Sequence, residues 1–440
     1  MTDIKDKLEQ FKRERQRRLR STPVEETWKK LAEEKDLTVK EKLERLINLT
    51  EKKKSERPSP PKPQYEAEER VPFNCSENEY SLEARYGKIT IKDGLKINSD
   101  TLVFLSGDPE FSGLDLSTSL LIDLETTGLS GGTGTIPFNI GMGYYSGEKF
   151  WVRQYFLGQP AAEEQMIQDL ARFLKDMDFQ SIITYNGKAF DIPLLETRFI
   201  LHREPFRLNS LPHLDFLFPA RRLWKHKLES CRLYHLAQEV VRTGRTEDIP
   251  SAEIPWRYFQ YLQTGDFDLI EPVLYHNAED ILSLLGVVIV GASIFAEDAE
   301  EYLADAMDFF GAGKVLEVTG NKERSLEFYQ RALNGSLTDH VLVQAKKKLA
   351  DHYKRCHEWD KAISLWKEIA SLNNPSAEHL FSFRELAMYF EHVEAKYEEA
   401  HRFAEEGYVL SLSLSSFYER DFSHRISRIK SKIKGKEGKP

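Results

Sequence analysis

The stretch SLLIDLETTGL, residues 119–129, carries an unbroken apolar run into Asp123-Leu124-Glu125 and then into a Thr-Thr-Gly turn. Continuous rather than alternating hydrophobicity predicts a strand covered on both faces. Residues i and i+2 of a strand share a face, so the Asp123 and Glu125 carboxylates leave the strand end side by side. Two acids at that range repel each other and resist burial unless a divalent cation lies between them. An isolated D-x-E is usually a solvated strand end followed by a turn. Here a core-like strand precedes the pair, and chemistry is the expectation.

Moving outward, PFNIGMGYY (137–145), a turn at 146–149 and FWVRQYFL (150–157) predict two more strands. Three strands joined by short turns are expected to be antiparallel neighbours. AAEEQMIQDLARFLKDM (161–177) predicts an amphipathic helix with Met166, Leu170, Phe173, Leu174 and Met177 on one face. SIITYNG (181–187) predicts a short buried strand, with a leucine-rich helix at 192–201. Strands followed by alternating helix and strand indicate a mixed α/β sheet, and the pattern holds over 71–296.

Past residue 296 the strand pattern stops. SLEFYQRAL (325–333), AISLWKEIA (362–370) and AHRFAEEGY (400–408) start 37 and 38 residues apart, and Ala350 and Ala387 are also 37 apart. A recurring helix pair with alanines at packing positions resembles tetratricopeptide repeats, expected over 305–435, with an ordinary helical bundle as the alternative. At the other end, residues 1–70 read as a charged arm and a proline-rich linker containing SERPSPPKPQ. That arm is either a solvated tail or a basic arm for nucleic acid or a partner.

The chain has 440 residues, 40% of them hydrophobic, enough for two or three domains. Its net charge is −9, yet residues 1–62 carry 19 Lys and Arg against 13 Asp and Glu, leaving −15 on the rest. A site that binds cations supplies several of those acids and reverses the local sign, so the acidic total does not exclude a nucleic-acid partner. Cys75, Cys231 and Cys356 are far apart and form no CxxC, which points to single buried thiols rather than a disulfide framework or a thiolate zinc site. No apolar run reaches the length of a membrane span and the N-terminus has no apolar signal core, so no membrane partner and a cytoplasmic location are expected.

Two further acids join the opening pair. Asp191 ends NGKAFD (186–191) at the start of a helix, and in YHNAEDILSL (275–284) His276 and Asp280 are four apart, one turn along one helix face. Several carboxylates and an imidazole meet the needs of two-metal phosphoryl chemistry: oxygen ligands for hard cations about 3.5–4 Å apart, and a nearby proton acceptor.

LIDLETTGL (121–129), NGKAFDIPLL (186–195) and HNAEDILSL (276–284) resemble, in order, the three exonuclease motifs of the DEDD group of the ribonuclease-H-like superfamily. HLDFLFPARRLW (213–224), CRLYHLAQEVV (231–241) and DIPSAEIPWRYFQYLQTGD (248–266) resemble the YprB-type members, in which that domain is joined to tetratricopeptide repeats. The resemblance covers about 70–430. It implies an α/β fold: a ribonuclease-H-like mixed sheet flanked by helices, then an all-α repeat domain. It further implies a metal-dependent 3′-to-5′ exonuclease with two divalent cations, Mg²⁺ or Mn²⁺, held by Asp123, Glu125, Asp191 and Asp280.

In that superfamily the general base is His five residues before the last Asp or Tyr four before it; here Tyr275 and His276 stand in exchanged places. His276 is the expected base, since a neutral imidazole accepts a proton near pH 7. Its alternative role is hydrogen-bonding support. Thr126, Thr127, Gly128 and Leu129 resemble the superfamily's contacts to the terminal nucleotide, and Asn186 and Phe190 the next pair. GLSGGTGT (128–135) lacks a following Gly-Lys-Ser/Thr and reads as a flexible rim. His213-x-Asp215 is either an additional ligand or a support of the site.

DNA is the substrate the resemblance favours, because the YprB-type group is associated with DNA repair and a partner helicase, the partner binding through the repeats. The rivals are a ribonuclease trimming RNA 3′ ends and a non-catalytic scaffold that binds nucleic acid and recruits a helicase. Deleting 305–440 is expected to remove partner association and leave cleavage of a free oligonucleotide.

Overall fold

The structure is a computed structural model that describes residues 72–128, 134–245, 249–296, 305–372 and 376–437. The N-terminal arm, Leu129 and most of the glycine-rich rim lie outside the described residues.

The described chain starts with β1 (Asn74–Ser81) and passes through a small hairpin, β2 (Arg85–Tyr86) and β3 (Ile89–Thr90), into α1 (Ser99–Ser106). The Asn98 side chain caps α1 by accepting the Thr101 N–H, and Gly107 ends it at φ +70°. Next come β4 (Ser119–Thr126), β5 (Pro137–Ser146) and β6 (Lys149–Phe156), antiparallel neighbours as expected. Gly147 supplies the positive φ that their two-residue turn needs.

After α2 (Glu163–Met177), β7 (Ser181–Thr184) pairs parallel to β4. Then follow α3 (Asp191–Leu201), β8 (His213–Asp215), parallel to β7, and α4 (Leu217–Trp224). A short α5 (Leu233–Leu236) runs into a π-helical turn over Ala237–Val241, and α6 (Ile254–Thr264) and α7 (Glu271–Ser293) complete the sheet's cover. The strand order β1-β6-β5-β4-β7-β8 puts β4 at the centre, where its antiparallel and parallel neighbours meet.

β4 is covered on both faces, as its continuous hydrophobicity requires. Leu120, Ile122 and Leu124 enter a core with Met166 and Leu170 of α2, Leu195 of α3 and Tyr258 of α6. Leu121 enters the opposite core with Ile281, Leu285 and Val288 of α7. Full burial of such aliphatic side chains contributes about 1.5–3 kcal/mol each. By the same alternation, Asp123 and Glu125 lie on the α7 face.

α7 also corrects the expectation about apolar runs. The helical stretch Phe267–Ser293 is long and apolar enough to cross a membrane by length and composition. Its most apolar window is 72% buried inside the protein, as in the core helix of a globular domain. The cysteines depart from expectation as well: Cys75 and Cys231 are half-buried and Cys356 is exposed.

Past the sheet, the helices α8 (Ala306–Val318), α9 (Lys322–Leu333), α10 (Asp339–Arg355), α11 (Trp359–Ala370), α12 (Leu380–His392), α13 (Tyr397–Leu414) and α14 (Ser416–Glu437) follow one another. The three recurring segments lie on α9, α11 and α13, and Ala350 and Ala387 are fully buried. This helical region is not isolated from the sheet. Ala312, Val315 and Leu316 of α8 and Phe328 of α9 belong to the core that α7 builds. Trp224 Nε1 donates to Asp308 Oδ1 at 3.1 Å, and a Cβ at Gly311 would stand 2.3 Å from the Leu223 carbonyl oxygen, so α8 lies directly against α4.

Candidate active site

The site forms where α7 crosses the sheet. Across the strands, Asp123, Gly141 and Gln154 make one row and Leu121, Gly143 and Val152 the next. Two glycines at adjacent rows leave a trough in the pleated surface, and α7 lies in it. A Cβ at Gly141 would stand 2.1 Å from Asn277 Oδ1, and one at Gly143 would stand 2.5 Å from Ile281 Cγ2. Asn277 and Ile281 are one helical turn apart, so the glycines fix both the height and the rotation of α7.

That seating places the polar groups. Asn277 Nδ2 donates to Asp123 Oδ2 at 2.8 Å, and Gln154 Nε2 donates to Asn277 Oδ1 at 2.9 Å. The Asp123 carboxyl is held well above the usual carboxylate range by its removal from water, then by the charges of Asp280 and Asp191; the Asn277 hydrogen bond opposes them. Glu125 is buried, and a register shift after it, a β-bulge, releases the chain from the ladder at the rim. Opposite Glu125 in the register is Asn139, fully buried, whose amide oxygen and nitrogen have no hydrogen-bond partner among the described residues.

Asp191 arrives from the other side, at the first position of α3. The loop before it turns tightly: Asn186 has φ +68°, and a Cβ at Gly187 would stand 2.8 Å from Asp191 Oδ2. Asp215 organises that loop by accepting the Asn186 and Lys188 N–H groups at 2.7 and 3.2 Å. Loss of solvent and the Asp215 charge push the Asp191 carboxyl up to about 7. His213 Nε2 bonds to Thr184 Oγ1 at 2.8 Å, and burial pushes the imidazole down to about 4. Of the two readings of His213-x-Asp215, these bonds describe the supporting one.

On α7, His276 and Asp280 share a face as expected. His276 Nε2 is 3.3 Å from Asp280 Oδ2 and 3.7 Å from Glu125 Oε1. A further residue enters here with no signal in the sequence. Arg245, buried and in the segment that connects the π-helical turn to α6, donates from Nη1 to Asp280 Oδ1 at 2.5 Å and from Nη2 to His276 Nδ1 at 2.9 Å. Among the described residues, no three His, Cys, Asp or Glu side chains gather closely enough to grip one ion. By type, four carboxylates beside an imidazole suit hard divalent cations. By position, Asp280 is held by Arg245.

At the rim, the Thr126 hydroxyl donates to the Gly128 carbonyl at 2.8 Å, and the Thr127 hydroxyl accepts the Ile136 N–H at 3.0 Å. Both hydroxyls thus shape the turn. Leu129, placed with them by the sequence, lies outside the described residues. Phe190 is 53% exposed at the end of the Asn186 loop, a large ring turned to solvent. Gln154, Asn277, Asn139 and Arg245 were not anticipated. Gly141-x-Gly143 inside a strand was a usable signal, since glycine there marks close backbone approach.

A model of the RNase_H superfamily matches residues 120–290, which span β4 to α7 and include all four acids. Among solved structures, the family B DNA polymerase from the hyperthermophilic archaeon Pyrobaculum calidifontis is 15% identical, with a TM-score of 0.32. The match covers 48% of this chain and 28% of that one, and at that score it bears on neither fold nor function. The uncharacterized protein YprB of Bacillus subtilis (strain 168) is 31% identical over 324 residues, 73% of this chain and 76% of the relative. With that identity over most of both chains, and an RNase_H-superfamily domain carrying the acidic site, this chain belongs to the YprB family.

Proposed function

We propose that this protein is a metal-dependent 3′-to-5′ exonuclease that hydrolyses DNA phosphodiester bonds. The observation that carries the reading is the convergence on Asp123: acids from α3 and α7 both act on a carboxyl at the end of the central strand. Crowding like charges out of water is costly, and polyvalent cations with a phosphate substrate are the chemistry that uses it. Asp123, Glu125, Asp191 and Asp280 would hold two divalent cations, Mg²⁺ or Mn²⁺, which when bound activate water and neutralise charge on the departing oxygen.

The chain's own residues would do the positioning. Asn277 fixes the Asp123 carboxylate, and Asp215 holds the loop that presents Asn186 and Phe190. The exposed Phe190 ring offers a face for a terminal base. The Thr126–Gly128 turn would border the sugar and phosphate. His276 would accept a proton at Nε2, provided its own neutral proton then resides on Nδ1.

The choice of DNA, a role in repair and a helicase docked on tetratricopeptide-like helix pairs rest on family resemblance, and the cytoplasmic location on the sequence reading alone. End-labelled DNA and RNA strands, digested with Mg²⁺ or Mn²⁺ by wild type and Asp123→Ala in parallel, test the reading. Loss of label from 3′ ends by wild type alone is expected. RNA-only digestion would move the substrate to RNA 3′ ends, and no digestion of either would leave a binding scaffold.

A further inference from the structure

Arg245 is 7% exposed and makes contacts that a passive neighbour of the acids would not make. Its guanidinium reaches two of the residues assigned to the chemistry, Asp280 through Nη1 and His276 through Nη2. Guanidinium has donors only, so His276 Nδ1 must be the acceptor of the 2.9 Å bond, and a neutral His276 then carries its proton on Nε2. Nε2 is the nitrogen facing Glu125 and Asp280. While Arg245 is in place, the nitrogen nearest the acids is a donor, and one of the four carboxylates is already neutralised.

We infer that Arg245 is a built-in counter-ion of the acidic site: it competes with a divalent cation for Asp280, and releasing it frees His276 Nδ1 to carry the imidazole proton. This rests on the cation-dependent reading above. A guanidinium and a divalent cation on one carboxylate repel each other at close range, so cation entry requires the arginine to withdraw. The surroundings can hold the cationic group once it leaves Asp280. The guanidinium lies 5.4 Å from the centre of the Tyr234 ring, a face on which a displaced cationic group remains favourable. Its backbone is anchored independently of the acids, with Gln238 Nε2 donating to the Arg245 carbonyl at 2.7 Å. Gln238 also donates to the Tyr234 hydroxyl at 2.8 Å, tying the ring to the same anchor. The guanidinium already lies over the Tyr234 ring while it bonds Asp280, so it can leave the carboxylate and keep that contact without unfolding the segment that carries it.

The test is the Mn²⁺ affinity of the full chain, measured by titration calorimetry without substrate, for wild type, Arg245→Gln, Arg245→Lys and Asp123→Ala. Arg245→Gln should bind Mn²⁺ roughly ten-fold tighter or more, because a competing charge is gone. Arg245→Lys keeps the charge but not the fork that bonds Asp280 and His276 together, so its Mn²⁺ affinity should fall between those of wild type and Arg245→Gln. An arginine that merely supports the fold predicts the opposite, weaker Mn²⁺ binding in Arg245→Gln. Equal or weaker binding by Arg245→Gln while wild type binds normally overturns the proposal and leaves the cation reading intact. Absence of Mn²⁺ binding sensitive to Asp123→Ala in every variant overturns the cation reading itself. A second arm needs no variant that might misfold: with histidine nitrogens labelled, saturating Mg²⁺ should move the His276 Nδ1 resonance of the wild type, and an unmoved resonance also overturns the proposal.

Discussion

Asn277 occupies the space that Gly141 leaves empty, with its Oδ1 2.1 Å from where a Cβ on that glycine would stand. The height of α7 above the sheet, and with it the placement of His276 and Asp280, is set by a missing side chain on the neighbouring strand. Gly141→Ala should therefore destabilise the protein by about 1–3 kcal/mol through overpacking and should lower nuclease activity together with stability. Gly134→Ala, where a Cβ would meet nothing within 4 Å, should change stability by no more than about 0.5 kcal/mol. Chemical denaturation of both variants checks the pair, and equal effects would remove the argument from close approach.

Asn277 also links Gln154 to Asp123. Asn277→Ala leaves the Asp123 carboxyl without its donor, and activity should fall about 10–100-fold, as for other residues that orient ligand carboxylates. Steady-state cleavage of an end-labelled oligonucleotide reads this directly. Unchanged kcat/KM would mean that Asp123 keeps its orientation without Asn277.

Phe190 is exposed and far from any core role. Phe190→Ala should leave stability within about 0.5 kcal/mol of wild type. The lost stacking of about 1–3 kcal/mol should raise KM for an oligonucleotide by about 5- to 150-fold. A variant that loses stability instead of substrate affinity would place Phe190 in the fold rather than at the substrate.

In the helical region, Glu391 of α12 is fully buried and accepts from Arg428 at 2.7 Å and Lys432 at 2.9 Å, both of α14. Burial alone would raise its carboxyl; the Arg428 and Lys432 hydrogen bonds overcome that and hold it at about 2. With the folded value below the ordinary 4.5, the stabilisation is present above pH 4.5 and is lost as pH falls toward 2. Glu391→Gln should be less stable than wild type by about 2–3 kcal/mol at pH 7, and the gap should narrow below pH 4.5 and nearly close by about pH 2. Unfolding curves of both proteins across that range test the sign as well as the size.

Removing residues 305–440 is no longer expected to spare cleavage. Val315, Leu316 and Phe328 complete a core that contains Leu121 and most of α7, and His226 Nε2 bonds to the Met307 carbonyl across the same contact at 2.7 Å. A chain ending at 304 should unfold more easily and lose activity, whereas one ending at 335 keeps α8 and α9 and should retain most of it. Comparing the two truncations by thermal melting and oligonucleotide cleavage separates them. Full activity in the shorter chain would show that the shared core is dispensable.

The sequence by itself determined the features that depend on neighbouring bonds. The apolar run before Asp123 dictated a central strand, the two-residue period placed Asp123 and Glu125 on one face, and the four-residue spacing put His276 beside Asp280. The recurrence of SLEFYQRAL, AISLWKEIA and AHRFAEEGY located three helices for the same reason. Only the tertiary structure decided what meets those residues. Asn277 above Gly141, Asp215 beneath the Asn186 loop, Asn139 opposite Glu125 and Arg245 on Asp280 join residues between 14 and 136 positions apart. Periodicity is fixed by backbone geometry within a few residues, whereas such partners are fixed by strand register and helix seating. The four acids were legible because Asp123 and Glu125 close the apolar strand, Asp191 opens α3, and Asp280 lies one turn from His276 on α7. Arg245 was not, because it sits in a connecting segment with no period, and its partner is chosen by packing alone.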